Sequence, residues 1–311
     1  MKKVSVVIPC FHVEEFILPL FHNMQEVEKQ LNAMDLSLEL VCVDDGSKDG
    51  TWDELLKHRH LIKDTQVVRL TRNFGAICAS NAGLKLVTGD ACTIYAADLQ
   101  DPLELIPEMA QLWLNGEKYI TAVRAKKRKD PLLTRIYAKL YYVFVKLFVM
   151  KDFPESGFDI AFWDGSILQY LKNTSKNINR SLFSHWLGFK PYVIEYERRE
   201  RSSGKSGWTF SKKWKLFLDS FLGFSVVPIR FISFIGMCVS FLSFGYGILM
   251  LVGGITGRIS EPGFATVTSL ITFLLGLVIV MLGVIGEYLW RIFDEVNKRP
   301  ESVIEEILRN E

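Results

Sequence analysis

Four short segments of this 311-residue chain gather acidic, polar and glycine residues at places where strand-like runs end. In the first, Ile8-Pro9-Cys10-Phe11-His12-Val13-Glu14-Glu15, a strand stops at a proline and an aromatic side chain follows. The second, Val43-Asp44-Asp45-Gly46-Ser47-Lys48-Asp49-Gly50-Thr51, is an acidic turn that leads into a helix. Capping that helix takes one aspartate, so the second is spare. The third is Arg72-Asn73-Phe74-Gly75 with Asn81 and Gly83 in the helix after it, and the fourth is Ala97-Asp98-Leu99-Gln100-Asp101-Pro102. In the fourth, Asp101 before Pro102 suits a helix N-cap, which leaves Asp98 for another task. Nucleophile and base pairs are missing from the pattern. The five histidines, His12, His22, His58, His60 and His185, show no ligand or base spacing, and the five cysteines include no CxxC pair. Reduced structural thiols, with neither disulfides nor a zinc site, are the expectation.

These segments need a scaffold that brings strand ends together. Lys3–Ile8, Leu38–Val43, Gln66–Arg69, Ala91–Ala96 and Tyr119–Val123 read as strands, with helices starting at Thr51, Ala76 and Pro102. Strands alternating with helices predict an α/β fold with a mostly parallel sheet covered on both faces. Such sheets bind ligands outside the carboxyl ends of their strands, where all four segments fall.

The second half of the chain is different. No charged side chain occurs from Phe231 to Gly257 or from Pro262 to Gly286. Each run exceeds the roughly 20 residues that cross a hydrocarbon core, so two transmembrane helices are expected, over 229–253 and 264–289. Lys212, Lys213, Lys215 and Arg230 precede the first, and Arg291, Lys298 and Arg299 follow the second, whereas the connection holds only Arg258 and Glu261. The positive-inside rule then puts both termini in the cytoplasm of an inner or plasma membrane protein. The start, Met1-Lys2-Lys3, runs straight into a strand-like segment with no signal sequence. Leu132–Val149 and Trp208–Phe224 mix aromatic, aliphatic and basic residues, as interfacial amphipathic helices do. The expected division is a catalytic core over 1–130, acceptor and interfacial segments over 131–225, the two spans, and a tail over 290–311 that reads as a short charged helix after Pro300. Gly236, Gly245, Gly247, Gly276 and Gly283 can let spans pack closely. A net charge of +2 gives no reason to expect nucleic acid.

Taken together the four segments resemble the polyprenyl phosphate branch of glycosyltransferase family 2, which includes dolichol-phosphate mannose synthases and bactoprenol glucosyltransferases. The two C-terminal spans, Gly286-Glu287-Tyr288 and Arg299-Pro300 extend the resemblance over nearly the whole chain. It implies a GT-A-type, Rossmann-like nucleotide-sugar domain. Pro9, Phe11 and Glu14 match positions at the nucleotide pocket, Asp45 matches the aspartate that reads the base, and Asp44 supports it. Arg72, Asn73, Gly75, Asn81 and Asp98 complete the donor set that the resemblance implies. Asp98 and Gln100 match residues that hold Mg²⁺ or Mn²⁺ against the donor diphosphate, an ion that takes oxygen ligands and offsets charge on a departing nucleotide. Ala96 stands where many relatives carry a first aspartate, so the metal site is lean, and His12 stands where relatives commonly carry asparagine.

On the acceptor side, Arg201, Gly204 and Ser206 resemble the family's Arg-x-x-Gly-x-Ser loop. Arginine suits phosphate because its planar fork donates paired hydrogen bonds and stays charged. Arg124 and Arg128 match positions near the phosphates. Asp152, Pro154, Ser156, Gly157 and Phe158 resemble the mannose synthase pattern, with Asp159 where relatives have arginine. The family implies inverting transfer of a hexose from a nucleotide diphosphate sugar, UDP-linked rather than GDP-linked by preference, to undecaprenyl or another polyprenyl phosphate, with Asp98, Gln100 and Arg201 carrying the chemistry. It also suggests a homo-oligomer, specifically a tetramer. A phosphate acceptor is already anionic, so no strong general base is required. A processive polysaccharide synthase of the same family would carry Q-x-x-R-W, which is absent. A non-catalytic membrane scaffold is the reading from another class, motivated by Ala96, His12 and Asp159. Asp45, Asp98, Gln100 and Arg201 speak against it.

Overall fold

The computed structural model describes residues 1–125, 160–174, 178–198, 227–256 and 263–310, with positions 143 and 146. It divides into two units, Met1–Phe217 with Pro300–Glu311, and Leu218–Arg299.

The first unit is built on eight described strands: β1 (Lys2–Cys10), β2 (Leu36–Asp44), β3 (Asp64–Leu70), β4 (Ala91–Ile94), β5 (Tyr119–Arg124), β6 (Ile160–Asp164), β7 (Tyr192–Tyr196) and β8 (Ile304–Arg309). Their order in the sheet is β7-β5-β6-β4-β1-β2-β3-β8. β4, β1, β2 and β3 are mutually parallel; β6 is antiparallel to both β4 and β5; β7 is parallel to β5; and β8 is antiparallel to β3. The strand order turns back between β1 and β4, the switch point where sheets of this kind open a crevice.

Alternation along β1 sends Val4, Val6, Ile8 and Cys10 to one face, where they pack with Ile17, Leu20, Phe21 and Met24 of α1 (Glu14–Asn32). Two further helices cover the same side, α2 (Thr51–His58) and α4 (Leu105–Leu114), through Trp52, Leu55, Ile106 and Met109. Val7, Val41, Val43 and Cys92 face the opposite layer with Ala79, Ala82 and Leu84 of α3 (Ala76–Leu86) and Ile167, Leu168 and Leu171 of α5 (Gly165–Lys172). Burial on both faces explains why these strands read as near-continuous apolar runs. Asp164 caps α5 by accepting from the Ser166 N–H, and Asn179 caps α6 (Arg180–Trp186) by accepting from Ser181 and Leu182.

The C-terminal tail corrects the sequence reading. Val303, Ile304, Ile307 and Leu308 have helical spacing, yet residues 304–309 form β8 on the edge of β3. So short a segment gains little as a free helix, while β3 would otherwise leave a row of unpaired backbone groups. Asn310 locks the far end, donating from Nδ2 to the Arg59 and Ile62 carbonyls at 2.9 and 2.8 Å.

The second unit holds α7 (Val227–Ile255) and α8 (Phe264–Val296). Among the described residues one helix, Phe273–Val296, is long and apolar enough to cross a membrane; the described apolar stretch Ile229–Val239 of α7 is shorter. Leu275, Ile279, Leu282 and Trp290 on α8 are exposed. Met281 occupies the space a side chain on Gly236 would need, whereas Gly245, Gly276 and Gly283 face open space. The helix stops at Asn297, with Lys298 in the left-handed region at φ 49° and Pro300 two residues on.

Candidate active site

The first two segments are laced together. Register pairs Pro9 with Val43 and Cys10 with Asp44, and Asp45 N–H donates to the Cys10 carbonyl at 2.8 Å. His12 lies in the left-handed region at φ 52°, which asparagine and histidine tolerate better than most residues. Its N–H donates to Ser47 Oγ at 3.1 Å, its Nε2 accepts from the Lys48 N–H at 3.2 Å, and its ring stacks on Phe11 at 4.0 Å. Phe11 keeps an exposed face just past the end of β1. Glu14 accepts from the Gly50 N–H at 3.0 Å, and Val13 N–H donates to Thr51 Oγ1 at 2.9 Å.

The paired aspartates divide their work. Asp44 is fully buried, accepts from the Ser47 N–H at 3.0 Å and lies 3.7 Å from Arg69 Nε. Asp45 reaches across to the third segment, taking the Phe74 N–H on Oδ1 at 2.7 Å and the Gly75 N–H on Oδ2 at 2.8 Å. Neither caps α2, whose N-cap is Gly50; Thr51 N–H donates instead to Asp49 at 3.2 Å. Burial pushes the Asp45 carboxyl above the ordinary aspartate range, the Phe74 and Gly75 N–H groups pull it back, and the Asp44 charge adds to the rise. Arg72 stacks its guanidinium 4.2 Å over the Phe74 ring, and Asn73 is exposed. Asn81 is half-buried on α3, and its Nδ2 donates to Glu301 of the tail.

The fourth segment leaves β4 at Ile94, two residues earlier than its sequence suggests. Tyr95 is buried with its N–H on the Val7 carbonyl at 3.0 Å. Asp98 is half-buried and accepts from the Gln100 N–H at 3.3 Å around Leu99, itself left-handed at φ 53°. Gln100 is buried. Asp101 does not cap a helix. The next one, α4, begins at Leu105, and Asp101 Oδ1 instead accepts from Tyr196 Oη at 2.8 Å and faces Arg198 Nε at 3.1 Å. Tyr196 and Arg198 were not singled out as site residues from sequence. The period-two pattern of Tyr192–Tyr196, with Ile194 and Tyr196 buried, is the signal that marks the strand delivering them.

Residues 5–187 match the family model for glycosyl transferase family 2. The chain belongs to glycosyl transferase family 2. A prophage bactoprenol glucosyl transferase homolog of Escherichia coli (strain K12) is 32% identical over 98% of this chain and 99% of its own length. The bactoprenol glucosyl transferase of Shigella phage SfII is 33% identical over 97% of both chains. Among solved structures, the mannosyltransferase PcManGT from Pyrobaculum calidifontis in complex with GDP-Man and Mn²⁺ is 15% identical over 90% of this chain and 87% of its own, with a TM-score of 0.45.

Of the two residues that the sequence matches to a metal position, Asp98 carries a carboxylate and Gln100 an amide oxygen. No group of three or more His, Cys, Asp or Glu side chains gathers as a metal set among the described residues. Ala96 is exposed and contributes no oxygen. Two hard oxygens at a strand end fit an ion that completes its shell with phosphates and water, as Mg²⁺ does. Arg124 ends β5 opposite Tyr196 of β7. Arg128, Ser156, Arg201 and Ser206 lie outside the described residues, as do Asp152–Asp159.

Proposed function

We propose that this glycosyltransferase moves a hexose from a nucleotide diphosphate sugar, UDP-linked by preference, onto undecaprenyl or a related polyprenyl phosphate, with inversion at the anomeric carbon. The observation that supports it most is the meeting, at one edge of the sheet, of the Asp45-held loop, the Asp98–Gln100 turn, and Arg124 with Arg198. Full-length similarity to proteins named bactoprenol glucosyl transferases supports the lipid acceptor.

On this reading Phe11 offers an exposed ring to the base, and Asp45 keeps the Arg72–Gly75 loop in place beside it. Asp98 and Gln100 would hold Mg²⁺ or Mn²⁺, which would supply positive charge to offset that on the leaving nucleoside diphosphate. Arg124, Arg128, Ser156, Arg201 and Ser206 receive the lipid phosphate. A phosphate oxygen then attacks the anomeric carbon from the face opposite the leaving group. One carbon–oxygen bond forms as the bond to the nucleoside diphosphate breaks, with no proton to remove. α7 and α8 are the two spans, with the catalytic unit and both termini cytoplasmic and the protein assembling as a homo-oligomer, a tetramer on the family pattern.

The test is incubation of the purified protein with undecaprenyl phosphate, Mg²⁺ or Mn²⁺, and a panel of radiolabelled nucleotide sugars. A lipid-extractable monophosphate sugar is expected with one donor. Nucleoside diphosphate release with no lipid product would overturn the acceptor, and no turnover with any donor would overturn the whole reading.

A further inference from the structure

We propose that the C-terminal tail braces the donor site, and that Glu301 is a positioning residue that holds Asn81 for nucleotide-sugar binding. This rests on the donor site proposed above and extends it to a segment that the family match over residues 5–187 does not reach.

The tail touches both ends of the Arg72–Gly75 loop. Because β8 runs antiparallel to β3, its first residues arrive where β3 ends. Thr71, immediately before the loop, donates its N–H to the Val303 carbonyl at 3.0 Å. Past the loop, α3 begins at Ala76, with the Ala79 N–H on the Gly75 carbonyl at 3.0 Å, and Asn81 of this helix donates to Glu301 Oε1. Between these two contacts sit the Phe74 and Gly75 N–H groups that Asp45 accepts. The loop is therefore gripped from the DDG turn on one side and from the tail on the other.

Glu301 is an expensive residue to use for edge packing alone. Its side chain is 9% exposed, and a buried carboxylate costs stability unless its oxygens are matched. Here the second oxygen lies 3.8 Å from Lys85 Nζ, and the same charge supports the guanidinium of Arg180, which burial pushes down to about 10. β8 does not need that carboxylate for its own pairing, which is backbone to backbone from Gln66 to Leu70. What the carboxylate adds is an acceptor that orients one amide on the helix after the donor loop. The rest of the tail keeps it in place. Asn310 N–H donates to the Thr65 carbonyl at 3.0 Å, and Glu305 lies 3.8 Å from Arg69, the same arginine that faces Asp44.

The test uses the full chain in detergent, with UDP-glucose as the donor probe, Mn²⁺ and undecaprenyl phosphate. Glu301→Ala is expected to raise donor KM about tenfold, the worth of one hydrogen bond to a charged group, with kcat and lipid KM changed less than about twofold. Glu301→Gln keeps the acceptor without the charge, so its rise should be about threefold. Asn81→Asp sets two carboxylates face to face and should exceed both. Combining N81D with E301Q reverses donor and acceptor and should bring KM back towards wild type. A role in packing alone would lower thermal stability and leave donor KM where it was, which overturns the proposal. A double variant no better than N81D also overturns it, because re-forming the pair would then do nothing for donor binding. If Glu301→Ala does not fold, the isosteric E301Q and the swap carry the same decision. Wild-type protein that binds and turns over none of the nucleotide sugars fails the donor-site reading itself, an outcome separate from normal wild-type kinetics with unresponsive variants.

Discussion

Gly46→Ala tests the close approach of the acidic turn to the Arg72–Gly75 loop in the proposed donor site. Gly46 has φ 67°, and a Cβ there would sit 2.5 Å from the Arg72 carbonyl carbon, 2.7 Å from its Cα and 2.9 Å from the Asn73 nitrogen. Ordinary carbon contacts are about 3.5–4.0 Å, so turn and loop must part by about 1 Å. All three atoms are backbone, and no side chain can swing away. Asp45 is the preceding residue, and its bonds to Phe74 and Gly75 at 2.7 and 2.8 Å would stretch beyond hydrogen-bonding reach. The left-handed conformation costs about 1–2 kcal/mol for alanine, and each hydrogen bond to a carboxylate is worth about 1.5 kcal/mol or more, so a loss of about 4 kcal/mol is expected. Gly116→Ala is the control, since Gly116 has φ 107° and nothing within 4 Å of a new Cβ. It carries only the conformational cost, about 1–3 kcal/mol. Thermal unfolding followed by tryptophan fluorescence ranks the two variants, and nucleoside diphosphate release against donor concentration gives KM. Gly46→Ala should be the less stable and raise donor KM at least tenfold, with Gly116→Ala unchanged in KM. Equal stability losses, or a wild-type KM in Gly46→Ala, would refute the idea that this contact shapes the donor loop.

Asp98→Asn should abolish transfer with the fold intact, read as nucleoside diphosphate release and unfolding temperature; near wild-type turnover would sink the metal assignment. Tyr196→Phe removes one of two partners of Asp101 and should cost about 1.5 kcal/mol of stability and lower kcat more than donor affinity, measured by thermal unfolding and initial rates. Arg201→Ala should raise lipid KM while donor hydrolysis without lipid stays unchanged, and an equal fall in both would move Arg201 to the donor side. Donor affinity should weaken on acidification starting above the ordinary aspartate value of about 3.9, because burial raises Asp45 and its protonation removes one of two acceptors. A folded-state pKa above the unfolded one gives Asp45 a contribution to stability that is full at low pH and lost as pH rises through the folded value. The acid loss of binding should therefore come without unfolding driven by this residue, as calorimetry and near-UV circular dichroism on one pH series can check.

The parallel half of the sheet was legible because its strands are buried on both faces. Lys3–Ile8 and Leu38–Val43 fall within observed strands that run one or two residues further at each end. β6 and β7 escaped notice because each has five residues, too few for periodicity to stand out. The four candidate segments could be placed at strand ends, but not their partners. Asp45 meets Phe74 across 29 positions, and Asn81 meets Glu301 across 220. A pairing at that distance leaves no trace in local spacing, so Asp101 read as a cap when its partners come from the end of β7. The tail misled for the opposite reason. Its apolar positions do have helical spacing, and only the free edge of β3, which no local pattern records, decides for a strand.

Those two antiparallel strands have a consequence for how a second substrate can be brought to the donor. In an all-parallel sheet every strand leaves its carboxyl end at the ligand edge, and the chain returns to the opposite edge before the next strand. Here β1 to β5 and β7 obey that rule, so Phe11, Asp45, Arg72, Asp98 and Arg198 follow, and Arg124 ends, strands that finish on one side. β6 and β8 run the other way and begin there instead. The chain between Arg124 and Ile160 therefore leaves from the ligand edge and re-enters the sheet at the ligand edge. In sequence, Arg128 and Ser156 fall between those two residues, and Arg201 comes five positions after the end of β7. A single reversal of strand direction thus brings both described ends of the segment over 126–159 to the edge where the candidate donor residues lie. The second reversal admits Glu301 at the same edge, where it accepts from Asn81 on the helix that follows the Arg72–Gly75 loop.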